Sequence, residues 1–352
     1  MLGAALCLTG LAPLDGRAQQ SIPPAQPPIV SRTELALLNV SVLDKHGDFV
    51  GSLERKNFRV LDNGAEQPIL LFDSVESPAQ ILILVETSPA VYLIHDQHLI
   101  AAYALLGGLA PKDLIALATY SDVAHPILGF TPDKFTLLDA LGKIQYMVGT
   151  GQLNLYDSLS TSLDWLPPLE GKRAVVLLTT GLDESPRARW DALVEKLRGE
   201  NTDVLIFPVA LSGWLLSHPS KKTKPSRNAP MSDSDAEGRP LDSSASLIWE
   251  KADDALKKLA TMTGGRAYFP ESANDFAPMY REIASALRHQ YFIAIDPQHD
   301  GQFHLLTVQV VDSNGQRLSG DAKRPGYRVL AREGYLAPPM PPLEQSSRPG
   351  NP

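Results

Sequence analysis

The sequence predicts an α/β protein in which a doubly wound, mostly parallel sheet is inserted into a small antiparallel β-sandwich formed by the N- and C-terminal strands. Apolar runs at 81–85 and 174–178 end abruptly in polar residues, which is typical of buried parallel strands that lead into loops. Strand and helix patterns alternate between 78 and 289, as in a parallel sheet with crossover helices. Alternating strands flank this region at 33–77 and 290–337, and neither set is large enough to bury both of its faces alone.

Composition limits the classes of function. The chain has 352 residues, of which 43% are hydrophobic and 20% charged, and this mixture favours a globular protein of two or three domains. A net charge of −8 argues against a nucleic-acid-binding face, which needs clustered basic residues. No apolar run is long enough to predict a transmembrane segment.

The first residues have the pattern of an export signal. An apolar run precedes Gly16-Arg17-Ala18, so 1–18 is predicted to be a signal peptide and 19–32 a Pro/Gln linker. The expected location is therefore periplasmic or extracellular. No Lys or Arg precedes the run, which leaves open a weak signal or a true start upstream. Cys7 is a poor lipid-attachment site because Leu6 precedes it, and cleavage would leave no cysteine for a disulfide.

Residues 33–77 are predicted to form about four antiparallel strands. Leu38, Val40 and Val42 alternate with polar residues, and a turn signal follows at 45–48, which together predict a hairpin. Asp62-Asn63-Gly64 lies between two further predicted strands, at 58–61 and 69–72, and supplies the positive φ angles of a tight turn.

The α/β region alternates strands and helices up to residue 289. A Ser/Pro-rich insertion at 211–246 is expected to be disordered, although Trp214, Leu215 and Leu216 are apolar exceptions within it. Gly264-Gly265 is expected to end the penultimate helix. Strands are predicted at 81–85, 113–120, 125–130, 173–179, 203–209 and 267–269, and helices at 92–108, 133–145, 153–165, 188–198, 247–263 and 273–289.

The C-terminal region predicts three more strands, at 290–295, 304–311 and 327–330, before a disordered tail at 338–352. Together with 33–77 they would form one discontinuous sandwich. The alternative is that they extend the edge of the main sheet.

Several segments together resemble the von Willebrand factor type A (VWA) domain: ILILVETSPA, GTGQLNLYDSLSTSL, AVVLLTTGLDES and TGGRAYFPES. With the flanking LDKHGDFVGSLERKNFRVLDNG and GYRVLAREGYLAP, residues 33–337 resemble the exported "VWFA-related" proteins of acidobacteria. The resemblance implies a doubly wound domain that binds proteins, often through Mg²⁺ or Mn²⁺ at the top of the sheet, and that is rarely an enzyme.

The family's metal pattern is incomplete here. Its D-x-S-x-S motif after the first strand corresponds to Glu86, Ser88 and Ala90, and the last of these has no oxygen to offer. The family's threonine corresponds to Leu153, or to Thr150 if the loop is shifted.

The family's second aspartate corresponds to Thr180, which Asp183 or Glu184 could replace by reaching back. A hard octahedral cation requires such oxygens at fixed distances. The resemblance therefore implies a degenerate metal-ion-dependent adhesion site with no cofactor expected. Weak Mg²⁺ or Mn²⁺ binding, through Glu86 and Ser88, is the alternative.

Structural roles compete with these functional ones. Glu86 and Ser88 could satisfy loop backbone groups or cap the following helix. His95 and His98 are close enough on a helix to bind a transition metal, but solvated helix residues are the simpler expectation. Asp157 at a helix start is stabilised by the helix dipole.

The resulting functional prediction is an exported, non-enzymatic protein-interaction protein. None of the common nucleophile, zinc, dinucleotide or P-loop motifs occurs. The alternatives are a Mg²⁺- or Mn²⁺-dependent VWA protein, an envelope hydrolase without a recognisable motif, and an envelope assembly protein that uses its sandwich. The candidate binding loops carry Glu86, Ser88, Ala90, Asp122, Thr150, Leu153, Thr180 and Asp183.

Overall fold

The computed structural model of the protein describes residues 35–46, 48–73, 78–147, 151–166, 172–184, 187–199, 203–217, 242–318 and 326–339. The strands are β1 (Ala36–Leu43), β2 (Phe58–Asp62), β3 (Ala65–Gln67), β4 (Leu71–Asp73), β5 (Ala79–Glu86), β6 (Leu114–Tyr120), β7 (Ala124–Thr131), β8 (Lys172–Thr179), β9 (Val204–Ala210), β10 (Gln290–Ile295), β11 (Phe303–Val310), β12 (Arg328–Leu330) and β13 (Gly334–Leu336). The helices are α1 (Pro89–Tyr92), α2 (His95–Gly108), α3 (Lys134–Gly142), α4 (Leu155–Leu163), α5 (Arg187–Arg198), α6 (Ser212–Ser217), α7 (Asp242–Thr263) and α8 (Ala273–Arg288).

The main sheet is built around β5, in which every residue is buried. Its order is β7-β6-β5-β8-β9, with β7 antiparallel and the other strands parallel. Two sequential series of strands thus run outward from β5 in opposite directions, which is the order of a doubly wound sheet. The apolar run predicted this strand correctly, because a strand covered on both faces has no solvent-facing positions.

Helices cover both faces of the main sheet. On one face, Leu105 of α2, Leu137 of α3 and Tyr280 of α8 pack with the odd-numbered residues of β5. On the other, Leu159 of α4 and Leu256 of α7 pack with its even-numbered residues. The predicted α/β class is confirmed.

The β-sandwich mixes strands from the two ends of the chain. One sheet has the order β12-β1-β10-β4 and the other β13-β11-β2-β3, and all pairs are antiparallel. Leu38, Val60, Ile293 and Val308 lie in their shared core. The predicted sandwich is therefore confirmed as part of the fold class, and the alternative in which the C-terminal strands extend the main sheet is wrong. The exact domain limits stay a prediction.

Two local strand predictions are wrong in detail. The expected strand at 267–269 is a single parallel bridge between Tyr268 and Val209, because Pro270 has no N–H with which to continue the pairing. The expected hairpin around 45–48 is likewise a single bridge, between Leu43 and Phe49.

The Asn63-Gly64 turn forms as predicted, with φ of 47° and 87°, but it leads into β3. Pro68 ends that strand, and the predicted strand at 69–72 becomes β4, which pairs with β10 in the other sheet.

The predicted insertion at 211–246 is partly helical. Residues 212–217 form α6, where Trp214 and Leu215 pack against the core, and α7 begins at 242 rather than 247. The rest of the insertion, 218–241, lies outside the described residues, as do the signal peptide, the linker and residues 340–352 of the tail. None of the helices in the described ranges is long and apolar enough to cross a membrane.

Candidate functional site

The candidate site lies where β5, β6 and β8 end side by side. Glu86 is the last residue of β5 and pairs with Tyr120, the last residue of β6. On the other side Val85 pairs with Leu178, so Thr179 at the end of β8 lies beside Glu86. The parallel register alone therefore places a hydroxyl residue on each side of this carboxylate.

The Glu86 carboxylate is fully buried and hydrogen-bonded. Its Oε2 accepts from the Tyr120 hydroxyl at 3.1 Å, the Thr179 hydroxyl at 3.0 Å and the Thr180 backbone N–H at 2.8 Å. The Thr180 hydroxyl lies 3.0 Å from Oε1 and 2.9 Å from Oε2. Because a buried carboxylate needs such donors, these residues account for the acid at the end of an apolar strand.

Burial keeps the Tyr120 phenol protonated, so that it can donate a hydrogen bond. Burial raises the pKa of the Tyr120 phenol well above its usual range, and the charge of Glu86 raises it further. The Tyr120 and Thr179 hydroxyls are 2.6 Å apart, so one of them donates to the other and the second donates to Glu86. The phenol therefore remains a hydrogen-bond donor throughout the physiological pH range. The hydrogen bonds of the cluster direct the Glu86 carboxylate into the protein.

The loop after β5 leaves one hydroxyl without a partner. Ser88 is the N-cap residue of α1, yet its side chain makes no capping hydrogen bond, and Pro89 at the first helical position has no N–H to offer. Ser88 Oγ is buried and has no hydrogen-bond partner among the described atoms. This hydroxyl is therefore an unsatisfied buried polar group at the edge of the sheet.

The neighbouring loops are tied to one another. The Asp183 carboxylate accepts from the Tyr156 N–H at 2.8 Å in the first turn of α4, where the helix dipole favours a negative charge. The Leu153 carbonyl accepts from the Glu184 N–H at 2.8 Å. Asp183 therefore caps α4.

Asp122 lies in an adjacent exposed loop. Its carboxylate accepts from the Ser121 hydroxyl and the Val123 N–H, which lower its pKa, and its carbonyl accepts from the Asn154 side chain at 2.9 Å. Asp157 pairs with Arg189 of α5. The two carboxylates therefore stabilise a loop and a helix start at this edge of the sheet.

A cavity of about 470 Å³ opens at this edge of the sheet. Four of the predicted site residues, Ser88, Ala90, Leu153 and Thr180, are among those that line it. Glu86, Asp122 and Asp183 do not line it, and Thr150 lies outside the described residues. The full lining consists of Ser88, Pro89, Ala90, Leu93, Leu153, Thr180, Leu182, Trp214, Leu215 and Trp249.

Sequence reasoning missed the apolar wall of this cavity. Trp214 and Leu215 come from α6 and Trp249 from α7, on either side of the Ser/Pro-rich segment. The apolar triplet at 214–216, within an otherwise polar stretch, was the signal that could have located it.

The residues present do not fit an octahedral Mg²⁺ or Mn²⁺ site. The Glu86 carboxylate is fully buried and directed toward Tyr120, Thr179 and Thr180, and the Thr180 hydroxyl donates to that carboxylate. Ala90 and Leu153 contribute no side-chain oxygen. Ser88 Oγ is the one unpaired side-chain oxygen among the cavity-lining residues, and a single hydroxyl cannot replace the oxygen shell of a hard cation.

The expectation that His98 is solvated is wrong. His98 is buried in α2, and its Nδ1 lies 2.9 Å from the Tyr280 hydroxyl of α8. Burial, with a contribution from His95, lowers its pKa to about 3. His95 Nδ1 instead lies 3.1 Å from the Tyr146 hydroxyl, so the two rings have different partners.

No family model matches the chain, and no curated protein matches it. Among solved structures, a von Willebrand factor type A protein from Catenulispora acidiphila is 12% identical, with a TM-score of 0.43 over 90% of this chain and 77% of that one. An aerotolerance-related membrane protein from Bacteroides fragilis is 15% identical, with a TM-score of 0.41 over 58% of this chain and 98% of that one. BatB from Bacteroides thetaiotaomicron is 16% identical, with a TM-score of 0.40 over 59% of this chain and 98% of that one. These scores are low, and the assignment of the fold class rests on the strand order and directions described above, which are those of a doubly wound, mostly parallel sheet.

Proposed function

We propose that this chain is an exported, non-enzymatic protein-interaction protein that binds its partner at the carboxyl edge of the main sheet without a resident metal ion. One observation carries this proposal. The carboxylate in the first metal position, that of Glu86, is buried and bonded to Tyr120, Thr179 and Thr180. The edge is therefore left with an uncharged, mostly apolar cavity.

Exposed apolar side chains near the cavity support a macromolecular partner. Leu93 lines the cavity and is 61% exposed. Tyr92 precedes it, Leu216 follows Leu215 of the wall, and Ile248 precedes Trp249; all three are exposed. Apolar groups that lie together on a surface mark interaction sites more often than catalytic ones.

The binding proposal can be tested by partner capture. Tagged full-length protein is incubated with envelope extract, and the captured proteins are compared with those of Ala90→Trp, which fills the cavity. Ala65→Trp places the same side chain at an exposed position of β3, away from the edge, and serves as control. We expect Ala90→Trp to lose a partner that Ala65→Trp retains. Retention of every partner by Ala90→Trp would assign binding to another surface, and loss of a partner by Ala65→Trp alone would assign it to the sandwich, which contains β3.

Metal dependence is the main alternative, and it rests on the unpaired Ser88 hydroxyl at the position where the family binds its cation. A ligand bound only by the folded state raises the midpoint of thermal unfolding. We expect equal midpoints in millimolar Mg²⁺, millimolar Mn²⁺ and EDTA. A cation-dependent rise that Ser88→Ala removes would instead favour the metal-dependent protein.

Export is part of the proposal and has its own test. Residues 1–18 fused to a reporter that is active only outside the cytoplasm should support reporter activity. A fusion in which charged residues interrupt the apolar run should not. Activity without an intact apolar run would remove the support for export by this segment.

A further inference from the structure

We propose that His304 is a pH-sensitive contact in the sandwich, which holds the segment after β13 (residues 337–339) in place while its ring is charged and releases that segment when the ring loses a proton. This inference is independent of the proposed function, which concerns the edge of the main sheet. His304 is a buried residue of β11 on which three elements converge, through Asp62 of β2, Asp300 of the turn before β11 and Tyr335 of β13.

Both ring nitrogens of His304 lie against carboxylate oxygens. Nδ1 is 2.6 Å from Asp62 Oδ1, and Nε2 is 3.1 Å and 3.2 Å from the two carboxylate oxygens of Asp300. An ionised carboxylate only accepts hydrogen bonds, and a neutral imidazole has a single N–H to donate. The geometry therefore fits a ring that is protonated at both nitrogens.

Two carboxylates are the charges that face this ring. Burial alone would lower the pKa of His304, but the hydrogen bonds and charges of Asp62 and Asp300 raise it above its usual value. Tyr335 stacks on the ring with centroids 5.3 Å apart and is uncharged, because burial raises the pKa of its phenol to about 12. The amide of Asn63, 3.2 Å from Nδ1, is uncharged as well. Proton binding at His304 therefore sets the net charge of this cluster as the pH rises above neutrality.

Loss of the proton affects the two contacts unequally. The Asp62 side chain is only 2% exposed, so its Oδ1 has no water to replace the Nδ1–H as a donor. The Asp300 side chain is 41% exposed, and water can replace His304 there. The neutral ring therefore keeps its proton on Nδ1, and Nε2 then presents a lone pair to the Asp300 carboxylate. The contact with Asp300 is the one that titration breaks.

The Asp300 turn holds the segment after β13. The Asp300 carboxylate also accepts from the Gln302 N–H at 2.9 Å. The Gln302 carbonyl accepts from the Ala337 N–H at 2.8 Å, and the Pro338 carbonyl accepts from the Gly301 N–H at 3.2 Å. A turn that moves away from the neutral ring loses these two backbone hydrogen bonds, which attach the segment to the sandwich.

Hydrogen exchange of the full chain tests this coupling. NMR titration of the His304 imidazole between pH 6 and pH 9.5 gives its protonation midpoint. Amide exchange over the same range, corrected for the intrinsic rate at each pH, gives the protection of Ala337 and Gly301. We expect this protection to fall about threefold to fivefold across the midpoint of the ring, because a partly exposed charged contact is lost.

Asp300→Asn should abolish the change, because an amide can accept from the charged ring and donate to the neutral one. Asp312→Asn is the matched control and should keep it. Asp312 holds a similar turn, in which its carboxylate accepts from the Asn314 and Gln316 N–H groups, and these hydrogen bonds involve no histidine. Thermal melts show that each variant folds. A ring that does not titrate in this range, protection that does not follow its midpoint, or an unchanged pH dependence in Asp300→Asn overturns the inference.

Discussion

At the residue scale, the defining feature is a fully buried acid, Glu86, at the end of the central strand. A carboxylate removed from water must receive hydrogen bonds from the protein, and Tyr120, Thr179 and Thr180 provide them. These donors come from two other strand ends. These donors hold the Glu86 carboxylate in the protein interior. Glu86 is therefore part of the packed interior at the ends of the strands and is not exposed on the surface.

Removing one of these donors should destabilise the protein. Thr179→Val keeps the shape of the side chain but leaves the buried carboxylate short of one hydroxyl, and we expect a loss of about 1–3 kcal/mol in the free energy of unfolding. Thr307→Val is the control, because Thr307 is exposed on β11; there the change should stay within about 0.5 kcal/mol. Urea unfolding measures both. Equal effects at the two positions would show that the Glu86 network contributes little to stability.

His98 should make the protein sensitive to acid. Its pKa is lowered to about 3 in the folded state, whereas the unfolded chain titrates near 6.5. The unfolded state therefore binds the proton first, and this contribution to stability, present above about pH 6.5, is lost as the pH falls toward 3. From pH 7 to pH 5 the loss from this group is about 2 kcal/mol. His98→Gln should lose correspondingly less stability than wild type between these pH values in urea unfolding; parallel losses would contradict the assignment.

His304 in the sandwich should respond in the opposite direction. Burial alone would lower its pKa, but hydrogen bonds to Asp62 at 2.6 Å and Asp300 at 3.1 Å raise it above its usual value. A raised pKa contributes stability that is fully present below about pH 6.5 and is lost as the pH rises through the folded value. His304→Gln should therefore cost more stability at pH 6 than at pH 9. The same cost at both pH values would mean that the ring is not charged between the two carboxylates.

At the element scale, the close packing of the end of α7 against β9 depends on two consecutive glycines, Gly264 and Gly265. Gly264 has a φ of +77° and ends α7, as its position after the helix pattern predicts. Gly265 has a different role, because a Cβ atom there would lie 2.0 Å from the Ile206 carbonyl oxygen in β9. The helix-ending role of Gly264 is local and can be predicted from the sequence. The role of Gly265 cannot, because it depends on contact with a strand about sixty residues earlier.

Gly265→Ala should therefore destabilise the α/β part strongly. The backbone oxygen that the new methyl group meets cannot move without disturbing β9, and we expect a loss above about 2 kcal/mol. Gly107→Ala in α2 is the matched control, since nothing lies within 4 Å of a Cβ there, and it should be neutral or stabilising by up to about 1 kcal/mol. Thermal unfolding of the two variants compares them. Similar midpoints would show that α7 can withdraw from β9 at little cost.

At the scale of the whole molecule, strands from both ends of the chain share one core. The Leu53 N–H donates to the Tyr291 hydroxyl at 2.9 Å, between residues 238 positions apart in sequence. Tyr291 also packs against Phe58, with ring centroids 4.9 Å apart. Neither terminal region can bury its apolar face without the other.

Deletion of 290–352 should make the N-terminal strands sensitive to protease. Residues 33–77 would lose the partners that cover Leu38 and Val60, while the α/β part keeps its own cores on both faces of the main sheet. Limited proteolysis followed by mass spectrometry locates the first cuts. Cuts confined to 33–77 would support the predicted domain limits, and continued protection of these residues would refute them.

The sequence predicted much of this architecture and little of its site. The run Ile81–Val85 predicted the buried strand β5, and the alternation at Leu38, Val40 and Val42 predicted the strand β1. The donors to Glu86 could not be predicted, because they follow from the register of β5 with β6 and β8. The tryptophan wall of the cavity was equally hidden, since Trp214 and Trp249 are far from Ser88 in sequence and periodicity carries no information on such distances.

The position of β1 in its sheet has a consequence for the order in which the chain folds. Both of its neighbouring strands, β10 and β12, are C-terminal, so until residues beyond 290 have been synthesised β1 is paired within the described residues only at its end, by the bridge between Leu43 and Phe49. The α/β part, in contrast, is continuous in sequence and can fold before the sandwich. Its first and last residues then lie close together, because Ala79 and Arg288 line one cavity. This proximity lowers the entropy cost of bringing the N-terminal strands to the C-terminal strands. We therefore expect the sandwich to assemble last, and a chain that stops before 290 to leave most of both edges of β1 unpaired, as templates for aggregation.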